Sequence, residues 1–142
     1  MPKNMRVEEI MIRDPIVLNE EDDLSQIRRG MEHFHLRHLP VVDGDKLVGL
    51  ISQRDILKFA VSALERAGAA HQREEWLEEH TFVAEVMQRD VFTVRADTSV
   101  AEAAQVLADT KFGCVPVVDD EQRLVGIVTE TDMLRLLVKV LG

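Results

Sequence analysis

Two stretches of the chain, "GLISQRD" at residues 49–55 and "GIVTETD" at 126–132, place an aspartate three residues after a hydroxyl-bearing residue, directly behind an apolar run. The pairs are Ser52 with Asp55 and Thr129 with Asp132. Where a strand ends and a helix begins, this spacing supports two chemistries. One is local: the hydroxyl accepts a backbone N–H from the first helical turn, and the aspartate reaches back to the cap and favours the positive end of the helix. The other is recognition. A helix start offers N–H groups and a hydroxyl to an anion, and a carboxylate one turn on accepts two hydrogen bonds from a ribose diol. The readings are compatible, and both stand at this point.

Other reactive residue types lack a partner set. His33, His35 and His38 fall within six residues, but spacings of two and three do not bring all three to one helix face, and no acidic ligand lies among them. They read as a polar helix end entering a strand. Cys114 is the only cysteine, which excludes an intramolecular disulfide and a cysteine-based metal site. Nothing near it in sequence would depress its pKa, so it reads as a strand thiol. The acidic runs "NEEDD" and "REEWLEEH" read as helix-start bias and a solvated face. Met11 and Met87 are expected to pack or to line the module's interface. No nucleophile–base pair, Gly-rich phosphate loop or two-cysteine metal motif appears, so the expectation is that the chain is not an enzyme and requires no cofactor or metal.

The charge balance narrows the partners. Net charge is −9 over 142 residues, with an isoelectric point near 5.0. Nucleic-acid binding relies on Lys and Arg against phosphates, and an anionic membrane surface would repel such a chain. The N-terminus has no apolar signal core. The apolar stretch "MLRLLVKVLG" is broken by Arg135 and Lys139 and is too short to span a bilayer. A cytoplasmic location is expected.

The elements that position the two pairs are written twice. "VEEIMIRDPIVL" (7–18) aligns with "VAEVMQRDVFTV" (83–94) at an offset of 76, matching Met11 to Met87, Arg13 to Arg89 and Asp14 to Asp90. The same offset carries Pro40-Val41-Val42-Asp43 onto Pro116-Val117-Val118-Asp119. After the turn the offset is 77, which takes Leu47-Val48-Gly49 onto Leu124-Val125-Gly126 and Asp55 onto Asp132. One extra residue in a turn is what a duplicated hairpin tolerates. Each copy reads as a short apolar strand (Ile16–Leu18; Val91–Val94), a helix, a hairpin and a second helix. Leu24, Ile27, Met31 and Phe34 keep helical spacing, as do Val100, Ala103, Ala104 and Leu107. Asp23 with Gln26, and Ser99 with Glu102, sit as start caps. Asp43-Gly44 marks the first tight turn, and the second helices begin near Gln53 and Glu130. The organisation expected is a first unit over 1–60, a helical connector over 61–82 broken near Gly68 and docked by Trp76 and Leu77, and a second unit over 83–142.

Two ordered copies of strand, helix, "PVVD" hairpin and Gly-apolar-apolar-Ser/Thr-x-x-Asp resemble a tandem cystathionine-β-synthase (CBS) domain pair, the Bateman module. The resemblance covers nearly the whole chain. It implies an α/β fold of the α+β type: two β-α-β-β-α units packed about a pseudo-twofold axis, with two inter-repeat clefts that often hold adenosine-containing ligands. It sets the hydroxyl near phosphate and the aspartate at the ribose. One cleft would combine Ser52 and Asp55 with Val91, Thr93, Gly113, Cys114 and Val115. The other would combine Thr129 and Asp132 with Pro15, Ile16, Val17, Arg37, His38 and Leu39. Arg54 stands before Asp55 where Thr131 stands before Asp132, and Arg37 stands where the second copy has Gly113. If both arginines lean into the Thr129/Asp132 cleft, it suits a phosphorylated ligand such as AMP, ADP or ATP, and the Ser52/Asp55 cleft is expected to be empty or to take a less charged adenosyl compound. Arg37 also reads as an exposed helix-end cation favoured by the dipole. The resemblance further implies a free-standing regulatory module, a homodimer, acting on an unidentified effector protein. The alternative is a structural dimerisation or docking module whose clefts are vestigial.

Overall fold

Near-continuous apolar runs through both hairpins, buried at consecutive positions, and apolar residues at helical spacing before them give the same elements in each copy. The computed structural model describes residues 4–34, 37–67, 80–110 and 112–142. Within them lie β1 (Ile12–Arg13), β2 (Leu18–Asn19), α1 (Leu24–Phe34), β3 (His38–Asp43), β4 (Lys46–Ser52) and α2 (Gln53–Ala67). There follow α3 (Val100–Asp109), β5 (Cys114–Val118), β6 (Leu124–Thr129) and α4 (Glu130–Leu141). This is the mixed α/β architecture the sequence leads one to expect. Trp76, Leu77 and Gly68 lie outside the described residues.

The chain packs as two units, and they interleave the sequence copies. One comprises Met1–Pro15, Asp45–Leu47 and Val91–Gly142; the other comprises Ile16–Gly44 and Val48–Asp90. The first unit holds a three-stranded sheet in the order β1-β6-β5. There β1 runs antiparallel to β6 with Ile12 opposite Ile127, and Val94 bridges Val117 in parallel. The second unit holds the order β2-β3-β4, with β2 parallel to β3 and Leu18 opposite Val41. On its far edge Gln88 bridges Leu50 antiparallel. Position for position the two units repeat each other, and in both the leading turn comes from the other sequence copy.

The leading turns explain which residues the copies share. Arg6 N–H donates to Glu9 Oε2 at 2.6 Å, and Phe82 N–H donates to Glu85 Oε2 at 2.7 Å. Arg13 Nη2 donates to the Glu8 carbonyl at 3.1 Å, and Arg89 Nη2 to the Ala84 carbonyl at 3.2 Å. Each turn drives a fully buried valine, Val7 or Val83, into its unit's core. Each then lays a methionine over a strand glycine. A Cβ on Gly126 would lie 2.7 Å from Met11 Sδ and 2.9 Å from the Ile12 carbonyl oxygen; on Gly49 it would lie 2.6 Å from Met87 Sδ and 2.8 Å from the Gln88 oxygen. Both methionines pack, as expected.

The start caps form. Gln26 N–H donates to Asp23 Oδ1 while Asp23 N–H donates to Gln26 Oε1, and Glu102 N–H donates to Ser99 Oγ. Gly44 turns the first hairpin with φ +66°, a conformation glycine adopts without strain. The short first strands differ from expectation. Ile16 and Val17 are about two-fifths exposed and only Leu18 is buried, paired together with Asn19. Of Val91–Val94, only Val94 enters the sheet, and Phe92 is exposed. An apolar run alone does not reveal which of its residues reach a neighbouring strand.

Candidate functional site

Ser52 ends β4 and opens α2; Thr129 ends β6 and opens α4. At the first head, Ser52 N–H and Oγ donate to Asp55 Oδ2 at 3.0 and 2.8 Å, and Asp55 N–H donates to Ser52 Oγ at 3.1 Å. At the second, Thr129 N–H and Oγ1 donate to Asp132 Oδ2 at 2.8 and 2.9 Å, and Asp132 N–H donates to Thr129 Oγ1 at 3.2 Å. The local capping chemistry is therefore made at both heads. The residue just before β3 or β5 of the same copy takes a further donor: Gln53 N–H donates to the Arg37 carbonyl at 2.9 Å and Glu130 N–H to the Gly113 carbonyl at 3.1 Å. With these donors satisfied internally, each head has less to offer an anion than a bare helix start.

What remains is the second oxygen of each half-buried carboxylate. Asp55 Oδ1 accepts a hydrogen bond from Gln88 Nε2 at 3.1 Å. Among the described residues, no donor reaches Asp132 Oδ1. Gln88 escaped the sequence reading because it aligns with Ile12, and a search for what the copies share passes over a position where they differ. A polar residue matched to an apolar one at the end of "VAEVMQ" and "VEEIMI" was the available signal.

The other candidates divide between the units. The first unit holds Thr129 and Asp132 together with Pro15, Val91, Thr93, Gly113, Cys114 and Val115. The second holds Ser52, Asp55, Ile16, Val17, Arg37, His38, Leu39 and Arg54. Arg37 and Arg54 are exposed. Leu39, Cys114 and Val115 are at most 2% exposed, so their side chains belong to the interior and only their backbone is available to a ligand. Burial, with the Glu130 charge adding to it, raises the Cys114 thiol to about 12. Gly113 has φ +77°, so the second copy has a backbone reason for glycine where the first copy has Arg37. Side chains of His33 and His35 lie outside the described residues, and no group of three or more His, Cys, Asp or Glu among the described residues is placed to hold a metal ion.

The model of the CBS domain family matches twice, over residues 7–62 and 83–139. The chain is a CBS-domain protein. It is 33% identical over 131 residues to the inosine-5'-monophosphate dehydrogenase of Methanocaldococcus jannaschii, a match covering 92% of this chain and 23% of the dehydrogenase. The chain spans less than half the length of the first curated relatives it matches. Among solved structures, a Vibrio cholerae protein named AcuB superposes with a TM-score of 0.83 at 33% identity, covering 97% of this CBS-domain chain and 95% of the other. The CBS domain pair of protein MJ0100, solved in complex with 5'-methylthioadenosine and S-adenosyl-L-methionine, superposes with a TM-score of 0.77 at 30% identity, covering 94% of this chain and 99% of that one. No helix among the described residues is long and apolar enough to cross a membrane.

Proposed function

We propose that this CBS-domain chain is a regulatory module that binds an adenosine-containing ligand by its ribose at the Ser/Thr-x-x-Asp helix heads and passes the bound state to a partner protein. The observation that carries the reading is Asp132. Its Oδ2 is locked by Thr129, while no described donor reaches its Oδ1. A carboxylate fixed by one oxygen presents the other in a defined direction, which is what a vicinal diol needs. The adenosyl ligands in the MJ0100 structure support the class. On this reading the exposed guanidinium groups of Arg37 and Arg54 favour a phosphorylated ligand, AMP, ADP or ATP.

A thermal-unfolding panel with AMP, ADP, ATP, NAD(H) and S-adenosylmethionine tests it. A ligand at one hundred times its Kd adds about 2.7 kcal/mol, a rise in Tm of roughly 5–10 °C for a chain this size. Asp132→Ala removes most of the shift, and Arg37→Ala with Arg54→Ala weakens nucleotide binding far more than Lys46→Ala. An unchanged shift in Asp132→Ala and Asp55→Ala contradicts the assignment.

A second reading, a docking or homodimerisation module, is favoured by α4. Leu134, Leu137, Val138 and Leu141 are each at least half exposed. Beside them α3 and α4 line an apolar groove of about 530 Å³. Exposed apolar surface of this kind marks an interaction face. In this reading the same chain shows no stabilisation with any nucleotide.

A further inference from the structure

The two helix heads are built alike, yet among the described residues only the Asp55 carboxylate has both of its oxygens engaged. At each head the aspartate's Oδ2 closes the cap, so a ligand diol must find Oδ1. Gln88 already holds Asp55 Oδ1 through its side-chain amide at 3.1 Å. Its backbone is pinned, donating to the Leu50 carbonyl at 2.8 Å and accepting from Leu50 N–H at 2.9 Å, so the side chain is aimed from a fixed ladder position beside the head of α2. In the other unit the same ladder position, opposite Ile127, belongs to Ile12, whose side chain has no donor.

We infer that Gln88 is an internal occupant of the Ser52/Asp55 head: it fills the carboxylate oxygen that a ribose diol would take, making this head the weaker of the two and the Thr129/Asp132 head the one loaded first. The inference rests on the adenosine reading above and adds to it the residue that makes the heads unequal. The physical reason is competition. A hydrogen bond to an ionised carboxylate is among the stronger neutral-donor bonds. A ligand arriving at Asp55 must displace the Gln88 amide before forming its own bonds, whereas at Asp132 no donor among the described residues stands in its way. In the empty chain the amide keeps the Asp55 carboxylate satisfied, and so favours the unliganded state of that head alone.

Calorimetric titration with AMP and with 5'-methylthioadenosine, which share the ribose diol, tests this. In an Asp132→Asn background, which removes the stronger head, Gln88→Ile and Gln88→Ala should each raise the affinity of the remaining site about tenfold. Asp55→Asn added to either should abolish that site. In the otherwise unaltered chain, Ile12→Gln places an amide beside Asp132 and should weaken the stronger site by a similar factor. Gln88 is exposed, and unchanged thermal unfolding of the ligand-free variants confirms that they fold. Equal affinity with Gln, Ile and Ala at position 88 overturns the inference while leaving the adenosine reading intact. Failure of both probes to bind the unaltered chain overturns the adenosine reading, and the inference with it.

Discussion

At the scale of single residues, the carboxylate pairs were legible in sequence because a capping box is a local object. Its members are three residues apart, so the order of residue types fixes their meeting. Gln88 and Asp55 are 33 residues apart, and no local rule brings them together. Cys114 was legible as a strand thiol from its setting before Val115-Pro116, but its acidity was not, since that depends on burial. Its pKa is raised from about 9 to about 12 by desolvation. A group raised in this way contributes stability that is complete below its unfolded pKa and is lost as the solution passes upward through the folded value. Relative to Cys114→Ala, the chain should therefore lose stability between about pH 9 and pH 12, by up to about 1.4 kcal/mol per pH unit. Urea unfolding of both chains at neutral pH and at about pH 10.5 measures it. A constant difference between them contradicts the burial argument.

At the scale of elements, period and turn chemistry placed the first helix of each copy, both hairpins and the starts of α2 and α4, while α2 runs on to Ala67, into the stretch expected to be a separate connector. The β1–β6 and Gln88–Leu50 pairings were hidden. Their strands are only one or two residues long, too short for an alternating pattern, and their partners sit in the other copy. What the sequence did carry was their consequence: a methionine in each leading turn and a glycine in each hairpin. The close approach gives the glycines a reason. Gly126→Ala forces a Cβ to within 2.9 Å of the Ile12 carbonyl oxygen as well as 2.7 Å of Met11 Sδ. The thioether can swing aside, but the carbonyl is held in the ladder. Gly126→Ala should cost about 1–3 kcal/mol, and adding Met11→Ala should not restore it, because the backbone contact persists and a cavity is added. Denaturant midpoints of the single and double variants check this; full recovery in the double variant would place the strain on the side chain alone.

At the scale of the whole molecule, the duplication announced two equivalent units, and the structure builds them by exchange. Each unit's sheet is completed by the leading turn of the opposite copy. An offset in sequence shows that two segments are alike, and leaves open which of two like partners each will pair with. The same symmetry supplies two aspartates for one chemistry, with Asp132 presenting the oxygen that no described donor reaches. The most direct test compares calorimetric binding of AMP and its 2',3'-dideoxy analogue to the unaltered chain and to Asp132→Asn. A carboxylate that holds the ribose predicts a preference for AMP of about tenfold or more at the tight site of the unaltered chain, vanishing in Asp132→Asn because both changes delete the same pair of hydrogen bonds. No preference in the unaltered chain, or a preference that survives in Asp132→Asn, would contradict it.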